Sequence, residues 1–435
     1  MIEKRKPIKV EQALKRVFDY ARYGSIEYVS IEDSYGRYLG EDLVATHDVP
    51  FFNRSPYDGY AIRACDTVNA SRDHPIEFKV IGEIGAGSVF DGVVGENEAV
   101  RIMTGAQIPD GADSVIMLEL VTESEPHTIL IKRKVKQGEN ISFIGEDTKQ
   151  GTVLAKKGTY INPGIVALLA TFGYKQVPVS TKPKIGIIAT GSELVKVDAP
   201  LEPGKIRNSN TYMIVSQIKR AGGKPIYFGQ FKDDFQTCFK QVKHTLDRVD
   251  FLITTGGVSV GDYDYLPAIY EKLGANVLFN KIAMRPGSVT TVAEKNGKLL
   301  FGLSGNPSAC YVGCELFVKP IIRKFLHHQK PVLKRAQAVL GQDFPKANPF
   351  DRFVRGYLNF VGSQLYVYPV GLDKSNVVSS LASANVLLVL PGGTRGFTKG
   401  TKVDVLLLED QEGDSVDTFL AGFKNYNRGD SDEVI

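Results

Sequence analysis

Residues 250–265, DFLITTGGVSVGDYDY, decide how this chain folds. Phe251, Leu252 and Ile253 run into the β-branched Thr254 and Thr255, the composition of a buried strand. Gly256 and Gly257 then break it, because glycine accepts backbone angles closed to other residues. Asp262 and Asp264 follow, just ahead of an expected helix at Leu266. Ligands of open α/β sheets collect beyond the carboxyl ends of strands, so carboxylates here suit a bound cation or a polarised substrate. A solvated turn that caps the helix is the competing reading.

The flanking sequence repeats the pattern. Over 184–326, strands such as KIGIIAT, PIYFGQ and NVLFNKIA alternate with amphipathic stretches such as NTYMIVSQIKRAG, DDFQTCFKQVKHTLD and SACYVGCELFVKPIIRKFL. This alternation predicts a doubly wound α/β domain with helices on both faces. Upstream, 47–147 is β-rich and punctuated by glycine, which predicts a small β lobe. From 332 to about 409 the period becomes two, in RFVRGYLNF, QLYVYPV and TKVDVLLL, predicting a small barrel or sandwich. Helices are expected over 7–23 and 162–172, with a proline-marked junction at 178–183. The last stretch, 411–435, is polar and acidic and reads as a tail.

Composition narrows the function. The 53 basic and 49 acidic residues leave a formal charge of +4 spread along the chain, which does not suggest a nucleic-acid partner. No apolar run of about 18 residues occurs and the first ten residues are charged, so membrane insertion and export are not expected and a cytoplasmic location is. Cys65, Cys238, Cys310 and Cys314 form neither a disulfide framework nor a zinc spacing. Cys310 and Cys314, four apart on one helix, read as core. Six scattered histidines give little support to a histidine metal site or a Ser/His/Asp hydrolase.

Polar turns close three strands of the α/β segment: Thr190-Gly191-Ser192-Glu193, the Gly256-Gly257 turn with Ser259 beyond it, and Ser304-Gly305-Asn306-Pro307-Ser308. In the last, Pro307 suits a first helical turn and Asn306 or Ser308 can cap it, so free amides there would suit a phosphate. Lys281 and Arg285, beside Gly287, would complement an anion; a solvated basic edge is the alternative. Asp233 and Asp234 precede a helix and taken alone read as caps. Glu193 directly follows a buried strand, a position that favours function. In the lobe, SPYDGYAI with Asp58 and RIMTGA with Thr104 read by spacing as a hairpin turn and a strand end, and Gly145-Glu146-Asp147 is weaker still.

The ordered set SPYDGYAI, RIMTGAQIPDGAD, GEDT, ATGSEL, Asp233-Asp234, TTGGVSVGDYDY, 281–287 and SGNPSACYV resembles the motifs of the molybdopterin molybdenumtransferases, the MoeA family related to the gephyrin C-terminal domain. The likeness spans nearly the whole chain. It implies a linker domain (1–46 and 148–180), a β-rich lobe (47–147), a MogA-like α/β molybdopterin-binding domain (181–328) and a C-terminal β-barrel (329–410). It also implies molybdenum insertion into adenylylated molybdopterin with release of AMP, using molybdate and Mg²⁺, in a homodimer whose site lies between subunits. A related adenylyltransferase and a non-catalytic pterin-binding scaffold are the competing functions.

By position the resemblance assigns catalysis to Asp58, Thr104, Glu193, Asp233, Asp264 and Lys281, with Asp233, Asp264 and Glu193 as metal ligands. Substrate binding falls to Asp147, Gly256, Gly257, Ser259, Arg285, Ser304, Gly305, Asn306 and Pro307. Two departures stand out: the family commonly has Pro where this chain has Ser304, and Lys-Pro where it has Ser288 and Val289. Anion contacts at those places are expected to be rearranged.

Overall fold

The structure is a computed structural model describing residues 6–231, 234–257 and 265–408. Asp233, Ser259, Asp262, Asp264 and the 411–435 tail lie outside the described residues. The chain divides into two compact units, one of Met1–Glu27, Gly36–Gly40 and Val179–Ile435, the other of Tyr28–Tyr35 and Glu41–Pro178.

The larger unit is organised by a six-stranded sheet. In chain order its elements are β1 (Lys184–Thr190), α1 (Ser209–Arg220), β2 (Lys224–Phe231), α2 (Phe235–Leu246), β3 (Phe251–Thr255), α3 (Leu266–Lys272), β4 (Asn276–Phe279), β5 (Thr291–Lys295), β6 (Lys298–Leu303) and α4 (Pro307–Gly313). The strand order is β2-β1-β3-β6-β5-β4. The first four run parallel, while β5 is antiparallel to both β6 and β4. β1 and β3 are buried nearly throughout, as a central parallel strand covered on both faces requires.

The two faces have separate cores. Ile187 and Ile253 pack with Ile214 and Ile218 of α1 and Cys310 of α4, while Ile188 and Leu252 pack with Cys238 and Val242 of α2 and Ile269 of α3. Helices α1 and α4 therefore cover one face, and α2 and α3 the other. The chain leaves β1 towards one face and the neighbouring β3 towards the opposite one. That reversal opens a crevice at the carboxyl ends of these two strands, which is where doubly wound sheets bind ligands.

Cys310 and Cys314 are free and buried, as a core reading requires. Their helix does not run evenly: a π-turn over Cys314–Val318 separates α4 from Lys319–Phe325. Glu315, on this turn, is fully buried and accepts from Gln217 at 2.7 Å, from Lys319 at 3.2 Å and from Arg220.

The C-terminal strands close on themselves. Arg335–Leu340, Asp351–Val361, Gln364–Pro369, Val386–Leu390 and Lys402–Leu407 form a ring completed by pairing of Asp351–Val361 with Val386–Leu390. This settles barrel over sandwich. Near the chain start the helix is Val10–Phe18, shorter than the 7–23 expected. Ile8 is instead bridged to Ile282, its amide donating to the Lys281 carbonyl at 3.2 Å and its carbonyl accepting from Ala283 at 2.7 Å. Backbone committed to that bridge cannot join the helix.

The smaller unit contains a second six-stranded sheet ordered Ser114–Met117, Gly59–Ile62, Glu98–Ile102, Ile76–Ile84, Thr128–Ile131 and Val121–Glu125. Along Gly59–Ile62, Tyr60 and Ile62 enter one core and Ala61 the other, the alternation of a sheet with two covered faces. Asn162 caps the helix Pro163–Thr171 by accepting from the Ile165 amide.

Candidate active site

The three glycine turns meet at the carboxyl edge of the α/β sheet. Gly256 has φ +91°, and a Cβ there would lie 2.3 Å from the Thr190 carbonyl oxygen. Only glycine satisfies both conditions. A Cβ on Gly305 would in turn sit 3.7 Å from the Gly256 Cα. The ends of β1, β3 and β6 are thereby in contact, and their convergence is the strongest geometric support for a site.

Hydrogen bonds hold the arrangement. The Gly256 amide donates to the Leu303 carbonyl at 3.1 Å, and the Thr190 hydroxyl to the Thr255 carbonyl at 3.4 Å. Asn210, on the first turn of α1, donates from Nδ2 to the Thr255 hydroxyl at 3.1 Å and to the Gly305 carbonyl at 2.8 Å. Asn210 is buried, and its Oδ1 has no hydrogen-bond partner among the described residues. Sequence reasoning passed over this residue. The available signal was the Asn-Ser-Asn run at the helix start: Asn208 caps it by accepting from the Thr211 amide, which leaves Asn210 without a capping role.

The 304–308 turn differs in detail from its expected form. Asn306 occupies the N-cap position of α4, but its side chain makes no capping bond. The Ser308 amide donates to the Ser375 carbonyl at 3.0 Å, and its hydroxyl to the Val377 carbonyl at 2.5 Å. The Ser308 amide is thus spent on the barrel and is not free for a phosphate, which corrects the expectation for that amide. Ser304 is buried, and its hydroxyl accepts from the Asn306 amide at 3.2 Å. A proline at position 304 could not make this bond.

The barrel loop that receives Ser308 is itself fastened. Buried Arg355 donates to the Leu372 carbonyl at 3.0 Å and the Lys374 carbonyl at 3.3 Å, and pairs with Asp373 at 3.4 Å. Arg352 holds the same carboxylate at 2.5 Å.

The cationic segment lies against the start of α4. A Cβ on Gly287 would be 3.3 Å from the Ala309 carbonyl oxygen, and the Thr290 hydroxyl donates to the Gly287 carbonyl at 2.8 Å. Lys281 is half-buried and Arg285 exposed. Among the described residues neither has an ion-pair partner or a side-chain hydrogen bond.

Of the expected metal ligands, the structure describes only Glu193, which is exposed and folds over Gly191. Asp233 and Asp264 lie outside the described residues, as does Ser259. No cluster of three or more His, Cys, Asp or Glu suited to a metal occurs among the described residues. Asp234 is a helix cap, accepting from the Thr237 amide at 2.8 Å.

In the smaller unit the lobe motifs also come together. The Arg54 amide donates to the Ser142 carbonyl at 3.0 Å, the Ser55 amide to the Ala106 carbonyl at 3.0 Å, and the Gly105 amide back to the Ser55 carbonyl at 2.8 Å. Asp58 accepts from the Thr104 amide at 2.6 Å and the Thr104 hydroxyl at 2.8 Å. These two bonds hold its pKa below the ordinary aspartate value. The Asp58-Gly59 pair is not a hairpin: Gly59 begins a strand, and a Cβ there would lie 2.2 Å from the Ile116 carbonyl oxygen. Asp147 is exposed, with its amide bonded to the Val49 carbonyl at 3.0 Å.

Comparison with known proteins agrees with this layout. Residues 8–173 match the MoeA N-terminal region (domain I and II), 186–324 a probable molybdopterin binding domain, and 337–408 the MoeA C-terminal region (domain IV). The chain is 58% identical over 416 residues to a molybdopterin molybdenumtransferase of Bacillus subtilis, covering 95% of this chain and 97% of that protein. It is 50% identical over 409 residues to the enzyme of the same name from Staphylococcus aureus strain Mu50, covering 94% and 97%. Among solved structures, a molybdopterin biosynthesis MoeA protein from Pyrococcus horikoshii OT3 superposes with a TM-score of 0.80 at 33% identity, covering 92% of this chain and 100% of that one. The strand-end turns, the closed barrel and these full-length likenesses agree: the chain belongs to the molybdopterin molybdenumtransferase family of transferases.

Proposed function

We propose that this chain inserts molybdenum from molybdate into adenylylated molybdopterin and releases AMP, using the strand-end turns of the α/β sheet and the Lys281–Arg285 segment. The observation that carries the reading is a pair of cations without ion-pair partners among the described residues, in a segment packed against the helix that leaves the 304–308 turn. Molybdate and the phosphoanhydride are both anionic. Lys281 and Arg285 offset that charge, most strongly where water is excluded. Gly256, Gly257 and Gly305 let the backbone approach the substrate closely, and Ser304, Asn306 and Pro307 shape the turn beside it.

A magnesium ion belongs to the proposal. Three carboxylates, Glu193, Asp233 and Asp264, are a hard-oxygen donor set of the kind Mg²⁺ prefers. When bound, the ion would screen phosphate charge that these carboxylates otherwise repel. The described side chains act without it: the cations bind, and the turns orient.

A homodimer completes the reading. Asp58, Thr104 and Asp147 of a second copy supply the lobe side of each site. Supporting this, Phe51, Tyr57, Phe143 and Ile144 are exposed at 67%, 47%, 47% and 52% on the segments that carry or adjoin those residues. Clustered exposed apolar side chains mark surfaces that another protein covers. No helix among the described residues is long and apolar enough to cross a membrane, and a cytoplasmic location is part of the proposal.

The test is AMP release from adenylylated molybdopterin by the purified chain, followed with and without molybdate. Release is expected only with molybdate, to be abolished by chelation and restored by Mg²⁺, and to be lost in Asp264→Ala. Undiminished turnover in Asp264→Ala would remove the metal role. Pterin binding without turnover would favour a scaffold.

A further inference from the structure

The carboxyl edge of the sheet is assembled from turns on different strands, and something must fix their spacing. Main-chain bonds account for part of it: the Gly256 amide reaches the Leu303 carbonyl. Beyond Leu303 the β6 chain leaves the ladder, and the Gly305 carbonyl lies outside any strand. Asn210 is what the structure shows holding it. One amide nitrogen, with two hydrogens, spans the Thr255 hydroxyl at 3.1 Å and the Gly305 carbonyl at 2.8 Å.

We propose that Asn210 is a positioning residue that sets the distance between the Gly256-Gly257 turn and the 304–306 turn, and through it the fit of the substrate. A primary carboxamide suits the task. A serine or threonine at 210 has a single hydrogen and cannot donate to both acceptors, and an aspartate has none at neutral pH. The residue sits on the first turn of α1, whose start is pinned independently by the Asn208 cap, so the strut is anchored on a rigid element. Thr255 completes it: its hydroxyl accepts from Asn210 and lies 3.9 Å from the Cys310 sulfur on α4. Asn210 touches the backbone of the substrate-side turn at Gly305 but none of the side chains assigned to the chemistry, and its effect on rate passes through the turns.

The inference rests on the strand-end site proposed above, and the experiment separates the two. Asn210→Ala removes both bonds of the strut and Thr255→Val the one to the Thr255 hydroxyl, whereas Thr255→Ser keeps that hydroxyl. Hydrogen exchange of segments 255–257 and 304–306 reports the turns directly, and steady-state AMP release reports the reaction. We expect faster exchange in both segments for Asn210→Ala and Thr255→Val, with kcat/KM lower by about tenfold to a hundredfold, the cost of displacing a positioned group by about an ångström. Thr255→Ser should match the parent.

Asn210→Asp should regain activity relative to the parent as pH falls, because a protonated carboxyl restores one donor. Unchanged exchange in both segments would overturn the strut. So would faster exchange with kcat/KM within twofold of the parent while Lys281→Ala is impaired. If Lys281→Ala is also unimpaired, the site assignment fails, and the positioning role with it.

Discussion

The lobe turn and the α/β edge carry charge in opposite ways. In the lobe, Oδ1 of the exposed Asp58 accepts both the amide and the hydroxyl of Thr104. At the α/β edge, Lys281 and Arg285 sit on a braced backbone with no ion-pair partner among the described residues. A charge already paired shapes a turn, and a charge left unpaired is available to a ligand. The structure thus distinguishes a carboxylate hydrogen-bonded within its own turn from cations without an ion-pair partner among the described residues, and the proposed site gives the two different roles.

The largest effect expected from this contrast is on the cation side. Lys281→Ala should lower molybdate-dependent AMP release by about a hundredfold, the order seen when a positioned charge partner is removed from a reacting anion. Initial rates at saturating and limiting molybdate would locate the loss in kcat or KM. Normal rates would show that this cation is merely a solvated edge.

Gly256→Ala probes the frame that the cations serve. It combines a positive φ with a Cβ 2.3 Å from a carbonyl oxygen, and should destabilise the larger unit by about 3 kcal/mol, measured by urea unfolding. A stable variant would mean that the strand ends can move apart.

On the lobe side, Asp58→Asn keeps an oxygen acceptor for Thr104 and should lower activity only severalfold, whereas Asp58→Ala and Thr104→Val should cost more by loosening the turn. Equal, severe loss in Asp58→Asn would make the charge itself chemical and erase the contrast.

The smallest effect is a pH dependence. The pKa of Asp58 is depressed in the folded chain, first by the Thr104 amide and then by its hydroxyl. The folded state therefore binds this proton less readily than the unfolded state. Its contribution is present at neutral pH and lost as pH falls through the depressed value. Thermal melting should show the parent losing slightly more stability than Asp58→Asn on acidification from about pH 5 to pH 3.

Much of this was legible in the sequence where local chemistry is decisive. Glycines after apolar β-branched runs marked the strand ends, and the shift from alternating strands and helices to period two marked the passage into the barrel. What stayed hidden depends on partners far along the chain. Ser308 looked like a helix cap, but its amide and hydroxyl go to Ser375 and Val377. Ile8 looked helical until Ile282 claimed it in a bridge. Asn210 read as one more polar residue at a helix start, because its acceptors lie far along the chain, one at the end of β3 and the other in the turn after β6. Asp233, Ser259 and Asp264 lie outside the described residues, so their roles rest on the family pattern.

The proposal that each site is shared between two copies is tested most directly by complementation. Chains carrying Asp58→Ala and chains carrying Lys281→Ala, each of low activity alone, are co-expressed under separate tags, and AMP release is measured on the purified mixture. Random pairing into symmetric dimers should restore about a quarter of parental activity, because half the dimers are mixed and each has one intact site. Activity no higher than that of the separate variants would contradict a site shared between copies.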